Sequence, residues 1–149
     1  MEYSSKTIFD EKIENLKRGS VLLFAFRGIT SGRKHFFIIL NSNPTKDNII
    51  FLSVFTSKVQ ERKKARSNCP PETLVEVTPQ EYNVLSVPSL IDCNSIFEIS
   101  FTELKGKIKT EMKLSEIKAD LPPNIIKKII NGILKSKLIP PEIQKKLHP

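Results

Sequence analysis

The chain has 149 residues, of which 39% are hydrophobic and 27% charged, and its formal net charge is +8. This composition is typical of a globular domain and excludes a disordered chain, and a domain of this size needs no disulfide or metal to hold a core. No stretch approaches the roughly 18 apolar residues of a membrane span, so we expect a cytoplasmic protein without a membrane partner. Cys69 and Cys93 lack metal-ligand spacing, and no metal or cofactor is expected, although the two cysteines could form one bridge.

The positive charge is unevenly distributed along the chain. Residues 58–66 carry five basic residues and one acidic residue, a net +4, and residues 105–149 carry eleven and four, a net +7. Residues 67–104 contain six acidic residues and neither Lys nor Arg, a net −6. A basic surface of this kind suits a polyanion, so a nucleic acid is the expected partner. A surface that only keeps the protein in solution is the alternative.

Hydrophobic patterning and turn residues predict the elements in chain order. A short helix comes first, then five short strands separated by loops, and a further short strand at residues 105–108. Residues 27–34 form a glycine-containing loop, and residues 58–71 form a charged connection. The helix is predicted at residues 4–16, and the strands at 21–26, 35–40, 49–56, 73–77 and from 89 towards 99.

The last part of the chain is helical in pattern. Isoleucines and one leucine recur at helical spacing over residues 122–136, and Pro122 and Pro123 suit a helix start. A last short helix is predicted after the Pro140-Pro141 pair. Short strands with tight turns followed by one apolar helix predict a mainly β, α+β fold, in which a small antiparallel barrel carries the helix packed on it.

Four local patterns, taken in order, resemble the PemK/MazF family of bacterial toxins. The patterns are residues 16–21 (LKRGSV), 32–41 (GRKHFFIILN), 51–57 (FLSVFTS) and 89–96 (SLIDCNSI). Four positions depart from the family pattern. Ser20 stands where an Asp is usual, Lys34-His35 stands where Arg-Pro is usual, and Phe97 stands where an Arg is usual.

The resemblance implies a single PemK/MazF-like domain over residues 1–149, with an SH3-like barrel at about 16–108 and a helical part at about 122–149. It implies a toxin-like endoribonuclease that cuts single-stranded RNA, with messenger RNA as the expected substrate, and uses no metal. It also implies a homodimer and an antitoxin protein whose acidic segment covers the basic groove.

Metal-free RNA cleavage uses the 2′-OH of the substrate as nucleophile, so the protein must move protons and stabilise charge on the phosphorane. Arg33 and Lys34 lie where a loop enters a strand, and one of them is expected to contact the phosphate. Arg33 is the better chemical match, and Lys34 matches the family's register. Thr56, at the end of the third strand, is expected to donate a hydrogen bond, although it could instead cap a turn. His35 points the other way from Lys34 along the strand, which favours a structural role.

Further residues are predicted to bind RNA. The basic run could follow the phosphates. In the fourth pattern, Asn94 could read a base edge, and Asp92 could accept from a base or hold the basic residue in place. The alternatives are a solvated loop for the run and a turn for the pair. The predicted RNA-binding residues are Ser57, Lys58, Arg62, Lys63, Lys64, Asp92 and Asn94.

Two rival functions remain open at this point. A non-catalytic SH3-like module that binds nucleic acid by charge would have the same barrel, and the missing Arg at Phe97 favours it. A protein-recruiting SH3-like domain would need an aromatic groove, and the chain has no Trp and only two Tyr.

Overall fold

The computed structural model describes residues 5–26 and 32–148, which form seven strands and five α-helices. The helices are α1 (Ser5–Glu14), α2 (Val59–Ala65), α3 (Phe101–Thr110), α4 (Pro123–Lys135) and α5 (Pro141–Leu147). The strands are β1 (Val21–Phe24), β2 (His35–Ile39), β3 (Ile49–Thr56), β4 (Leu74–Val77), β5 (Ser89–Asp92), β6 (Phe97–Ser100) and β7 (Ile117–Lys118). Within these ranges, no helix has the length and apolar character needed to cross a membrane.

The fold is α+β, and every strand pair is antiparallel, as predicted. The strands follow the order β4-β5-β3-β2-β1-β7, and β6 also pairs with β3. Strand β3 pairs with β2 along one side. Along its other side it pairs first with β6, through Ile49–Leu52, and then with β5, through Phe55 and Thr56. In the described chain β4 and β7 do not pair with each other, so a closed barrel is not confirmed.

The central strands are buried on both faces, which explains why they are nearly continuous apolar runs. Successive residues of a strand point to opposite faces. Val21 and Ile38 pack into one core with the isoleucines of α4, whereas Leu22 and Phe37 pack into a second core with α1 and α3. The polar side chains that could carry function are therefore confined to the ends of the strands and to the connections.

Helix α4 packs its predicted apolar stripe onto the sheet, which confirms that prediction. The chain entering β1 fixes the start of this helix through Gly19. The Gly19 N–H donates to Ile39 O at 2.8 Å, and its carbonyl accepts from Leu121 N at 2.9 Å. Its φ of 95° lies in the left-handed region that favours glycine. A side chain at Gly19 would also collide with Ile126.

The prediction of a strand at residues 105–108 was wrong, because this segment lies inside α3. Leu104 and Ile108 are one helical turn apart and both fully buried. The Ser100 side chain caps the helix by accepting from Glu103 N at 3.0 Å. The cap and the buried pair one turn apart therefore identify this segment as a helix.

Two other segments differ from their predictions. Residues 58–71 are not a simple connection, because α2 occupies the first half of them. The predicted strand from residue 89 towards 99 is two strands, since β5 ends at Asp92 and β6 begins only at Phe97. Residue 4 of the first predicted helix and residues 27–31 of the predicted loop lie outside the described residues.

Candidate nucleic-acid interface

The predicted catalytic positions come from two strands whose ends lie side by side. Strand β2 pairs antiparallel with β3, with Phe37 opposite Val54. Two residues further along the same register, His35 is opposite Thr56. The start of β2 and the end of β3 are therefore neighbours at one end of the sheet.

Residues 33–35 and 56–58 together form what we call the strand-end site. Arg33, Ser57 and Lys58 are exposed there. Of the three cations in the site, Arg33 and Lys58 form no ion pair with any residue that the structure describes, whereas Lys34 does. The strand-end site thus offers a guanidinium, an ammonium and a hydroxyl to a polyanion.

Thr56 is half-buried and already makes one hydrogen bond, because its Oγ1 accepts from Lys58 N at 3.2 Å. This is the turn-capping interaction that the sequence left open as an alternative. A hydroxyl that accepts a hydrogen bond keeps its own hydrogen for donation. Thr56 can therefore cap the turn and donate to a phosphate oxygen at the same time.

Lys34 differs from Arg33 because its charge is already compensated. The Lys34 ammonium donates to Oε2 of Glu116, and Oε1 of the same carboxylate accepts from Lys113 N at 2.9 Å. Glu116 is only 7% exposed. The hydrogen bond from Lys34, followed by the one from the Lys113 backbone, lowers the pKa of Glu116 below its ordinary value. The carboxylate stays ionised, and of the two predicted cations Arg33 is the one free to bind phosphate.

His35 is the first residue of β2, and its side chain packs against another residue of the same strand. Its ring stands edge-on to Phe37, with the centroids 6.4 Å apart. Its Nε2 is buried and has no hydrogen-bond partner among the described residues. The contact with Phe37 agrees with the structural role that the strand alternation predicts.

Part of the predicted RNA-binding run points inward, towards β5. Arg66 Nε donates to Asp92 Oδ2 at 2.9 Å, and its Nη2 donates to Ser95 Oγ at 3.1 Å. Arg62 Nη1 lies 3.8 Å from the same Asp92 oxygen. Arg66 therefore holds the end of α2 against the end of β5, and Asp92 acts here as a structural anion. The Arg62 side chain is 43% exposed and only borders this pair.

The rest of the run faces outward. Lys63 Nζ lies 2.8 Å from Glu76 Oε2, a pair in which both side chains are substantially exposed. Lys64 is exposed and forms no ion pair within the described ranges. Of this run, Lys58 and Lys64 are therefore the lysines best placed to meet phosphates.

Asn94, which the sequence suggested as a base reader, is 5% exposed and fully engaged inside the protein. Its Nδ2 donates at 2.9 Å to both Thr73 Oγ1 and Asp92 Oδ1, and its Oδ1 accepts from Ser136 Oγ at 2.7 Å. The amide thus joins β5, the turn before β4 and the end of α4. A base could reach this side chain only by breaking the network, so its geometry favours a structural role.

Cys93, between these two polar residues, points into the core. Burial, followed by the charge of Asp92, raises the pKa of its thiol to about 12. Such a thiol is not an activated nucleophile.

In the described part of the chain, no group of three or more His, Cys, Asp or Glu side chains is arranged to hold a metal ion.

Sequence reasoning did not identify Glu116. This residue lies 82 positions beyond Lys34, and no local motif marks it.

No protein-family model matches the chain, and no curated protein matches it.

Proposed function

We propose that this chain is a toxin-like endoribonuclease that cuts single-stranded RNA, with messenger RNA as its substrate. The observation that carries the proposal is that the start of β2, which Arg33 and Lys34 precede, lies beside the end of β3, where Thr56 stands. The resemblance of the four sequence patterns to PemK/MazF toxins supports the same reaction. The finer fold proposed with it is an SH3-like barrel, and the sharing of one side of β3 between β6 and β5 supports a strongly curved sheet.

In the proposed reaction the 2′-hydroxyl of the substrate gives its proton to solvent water, and the 2′-oxygen attacks the adjacent phosphorus. The bond from phosphorus to the 5′-oxygen breaks, and the 5′-oxygen takes up a proton from solvent water. The products are a 2′,3′-cyclic phosphate and a 5′-hydroxyl. Arg33 contacts two non-bridging oxygens and stabilises the charge of the phosphorane. The Thr56 hydroxyl donates to the same phosphate, whereas Lys34, whose charge Glu116 compensates, makes no contact with it. Ser57, Lys58 and Lys64 bind the flanking phosphates.

Further parts of the proposal rest on the resemblance. They are a homodimer and an antitoxin protein with an acidic segment. Action in the cytoplasm is proposed from the sequence itself, which has no apolar stretch of membrane-spanning length. The two basic stretches of the sequence, at residues 58–66 and 105–149, support an acidic partner.

A second candidate is a nucleic-acid-binding module without catalysis. Phe97 favours it, because the family has an Arg there, and here the Phe97 ring packs edge-on against Phe37 with centroids 6.3 Å apart. No cation is present at that position to assist the phosphate.

The test uses the purified full-length protein, a pool of synthetic single-stranded RNAs and a chelator. Cleavage with 2′,3′-cyclic phosphate ends is expected. Arg33→Ala and Thr56→Val should each lower the rate about 100- to 1,000-fold, with little change in RNA affinity. Thr56→Ser, which keeps the hydroxyl, should restore most of the rate.

Lys46→Ala is the matched control, because Lys46 is an exposed cation in the turn between β2 and β3, at the opposite end of these strands. It should cleave like the wild type. Binding without cleavage by the wild type would establish the second candidate instead. Loss of cleavage in chelator would contradict the metal-free reaction.

A further inference from the structure

A groove along α4 is a second surface that could bind a partner. It has a volume of about 710 Å³. Its floor is apolar, and its rim is positively charged. Its main lining residues are Arg18, Ile126, Lys127, Ile130, Leu134 and His148.

The floor of the groove repeats along the helix. Ile126, Ile130 and Leu134 are four residues apart and so share one face of α4, with successive side chains about 6 Å apart along the axis. Ile126 and Leu134 are only partly buried and contact the core with one side. Their other side is available to a row of apolar side chains with the same spacing.

The rim carries a cation in a fixed position. Arg18 Nε donates to Leu40 O at 2.6 Å, and its Nη2 donates to Leu147 O at 3.0 Å, which holds the guanidinium between β2 and α5. Lys127 is exposed beside it. No acidic residue of the described chain lines the groove. The sequence around the groove is equally one-sided, since residues 121–149 contain six lysines and one acidic residue.

This charge distribution selects among possible occupants. A second copy related by two-fold symmetry would place the same patch on itself, so the cations of one rim would face the cations of the other. A membrane surface suits apolar side chains that project from the protein, whereas Ile130, at 4% exposed, lies at the bottom of a concavity. We propose that the groove binds an amphipathic helix of another protein, whose apolar stripe fills the floor and whose Asp and Glu residues face the rim. This inference does not depend on RNA cleavage.

The test is a binding titration with the full-length protein, followed by fluorescence anisotropy. The probe is a labelled synthetic helical peptide with leucines at every fourth position on a background of glutamate and alanine. A second peptide carries lysine in place of each glutamate. The acidic peptide should bind, and the basic one should not.

Two lysines of α4 provide a matched pair of variants. Lys127 lines the groove, whereas its exposed neighbour Lys128 does not. Lys127→Glu should weaken binding of the acidic peptide about five- to tenfold, and Lys128→Glu less than about twofold, because both change the net charge equally and only one changes the rim. Leu134→Ala should weaken binding by a similar factor through the floor. Circular dichroism and thermal melts confirm that each variant is folded.

Several results would overturn the proposal. Equal effects of the two lysine variants would mean that only net charge matters. No binding of the acidic peptide, or equal binding of the basic one, would exclude an acidic helix. Self-association that Leu134→Ala abolishes would assign the groove to a second copy, and binding to vesicles of anionic lipid in place of the peptide would assign it to a membrane.

Discussion

The strand-end site and the network around Asn94 are two polar regions of one sheet. They differ in whether their side chains are already paired with other groups of the protein. At the strand-end site, Arg33 and Lys58 are exposed and make no ion pair with the described residues. In the network, Asn94 and Asp92 are buried, and each makes several hydrogen bonds to protein groups. Both regions contain the residue types that bind RNA, but only the first leaves those groups available.

The difference follows from where the chain goes next. Strand β3 ends in a short exposed turn before α2. Strand β5 runs instead into a turn that α2 and α4 cover on two sides, and Arg66 and Ser136 supply the partners there. A buried polar group must be paired, because leaving it unpaired costs about 1–3 kcal/mol. Covered polar residues therefore tend to hold the fold together, whereas uncovered ones remain available to a ligand.

The largest effect should come from Asn94→Ala. It removes three side-chain hydrogen bonds and leaves the Ser136 and Thr73 hydroxyls short of a partner. We expect a loss of about 3 kcal/mol in the free energy of unfolding, measured by urea denaturation. Asn68→Ala, at an exposed position, should stay within about 0.5 kcal/mol of the wild type.

The comparison between the two regions breaks if Asn94→Ala leaves stability unchanged and weakens RNA binding. That outcome would return Asn94 to the role of a base reader.

A second effect concerns the packing behind the same network. At Gly132 in α4, a Cβ atom would lie 2.7 Å from the Glu72 carbonyl oxygen and 2.9 Å from Cys93 Sγ. Gly132→Ala should therefore destabilise the protein by about 1–2 kcal/mol, since overpacking outweighs the gain in helix propensity. Gly106 in α3 has open space around it, and Gly106→Ala should stabilise by about 0.5–1 kcal/mol. Thermal melts of the two variants should shift in opposite directions, and equal shifts would contradict the close contact of α4 with this turn.

A third prediction tests whether Lys34 is paired within the protein, like Asn94, or available to a ligand, like Arg33. The hydrogen bond from Lys34 lowers the pKa of Glu116 below its ordinary value of 4.5. A carboxyl whose pKa is lowered by folding stabilises the protein above its unfolded pKa, and this contribution is lost as the pH falls through the folded value. Glu116→Gln should therefore destabilise at neutral pH, and the gap to the wild type should close in acid.

The measurement is urea unfolding at a series of pH values. In a Lys34→Met chain the first cause of the shift is absent, so the same Glu116→Gln change should show a weaker pH dependence. An unchanged dependence would mean that Lys34 is not held by Glu116 and is as free as Arg33.

Most of the sheet could be predicted from the sequence, because its strands are apolar runs bounded by turn residues. The helices were harder where no apolar stripe marks them. Helix α2 buries none of its residues, so the sequence of this segment has no apolar stripe at helical spacing. In α3, residues 105–108 contain one apolar side chain only, and the helical spacing appears when Leu104 is counted with Ile108.

The site was predictable to the extent that strand pairing determines it. The placement of residues 33–34 and Thr56 at the same end of the sheet follows once β2 and β3 are recognised as an antiparallel pair. Glu116 was not predictable, because its contact with Lys34 depends on how β7 joins the other side of β1. Asn94 could not be classified, since a polar turn residue has the same pattern whether its side chain points inward or outward.

The smallest expected effect distinguishes free from paired charge within α2. Lys64 has no ion pair in the described chain, whereas the Lys63 ammonium lies 2.8 Å from the Glu76 carboxylate. If outward lysines bind phosphates of a single-stranded RNA, Lys64→Ala should flatten the slope of log affinity against log salt by about 0.7. Lys63→Ala should flatten it less, because its charge is partly neutralised before RNA arrives.

Over a fourfold range of salt, a slope change of this size is about a 2.6-fold difference in affinity, which titrations at several salt concentrations can resolve. Glu76→Gln supplies the control, because it removes the negative charge that neutralises Lys63 and keeps a side chain of nearly the same size. It should make the slope steeper, and Lys63→Ala in that background should then have the full effect of one contact. If Lys63→Ala, Lys64→Ala and Glu76→Gln all leave the slope unchanged, α2 does not contact RNA, and the positive charge at the strand-end site must account for binding alone.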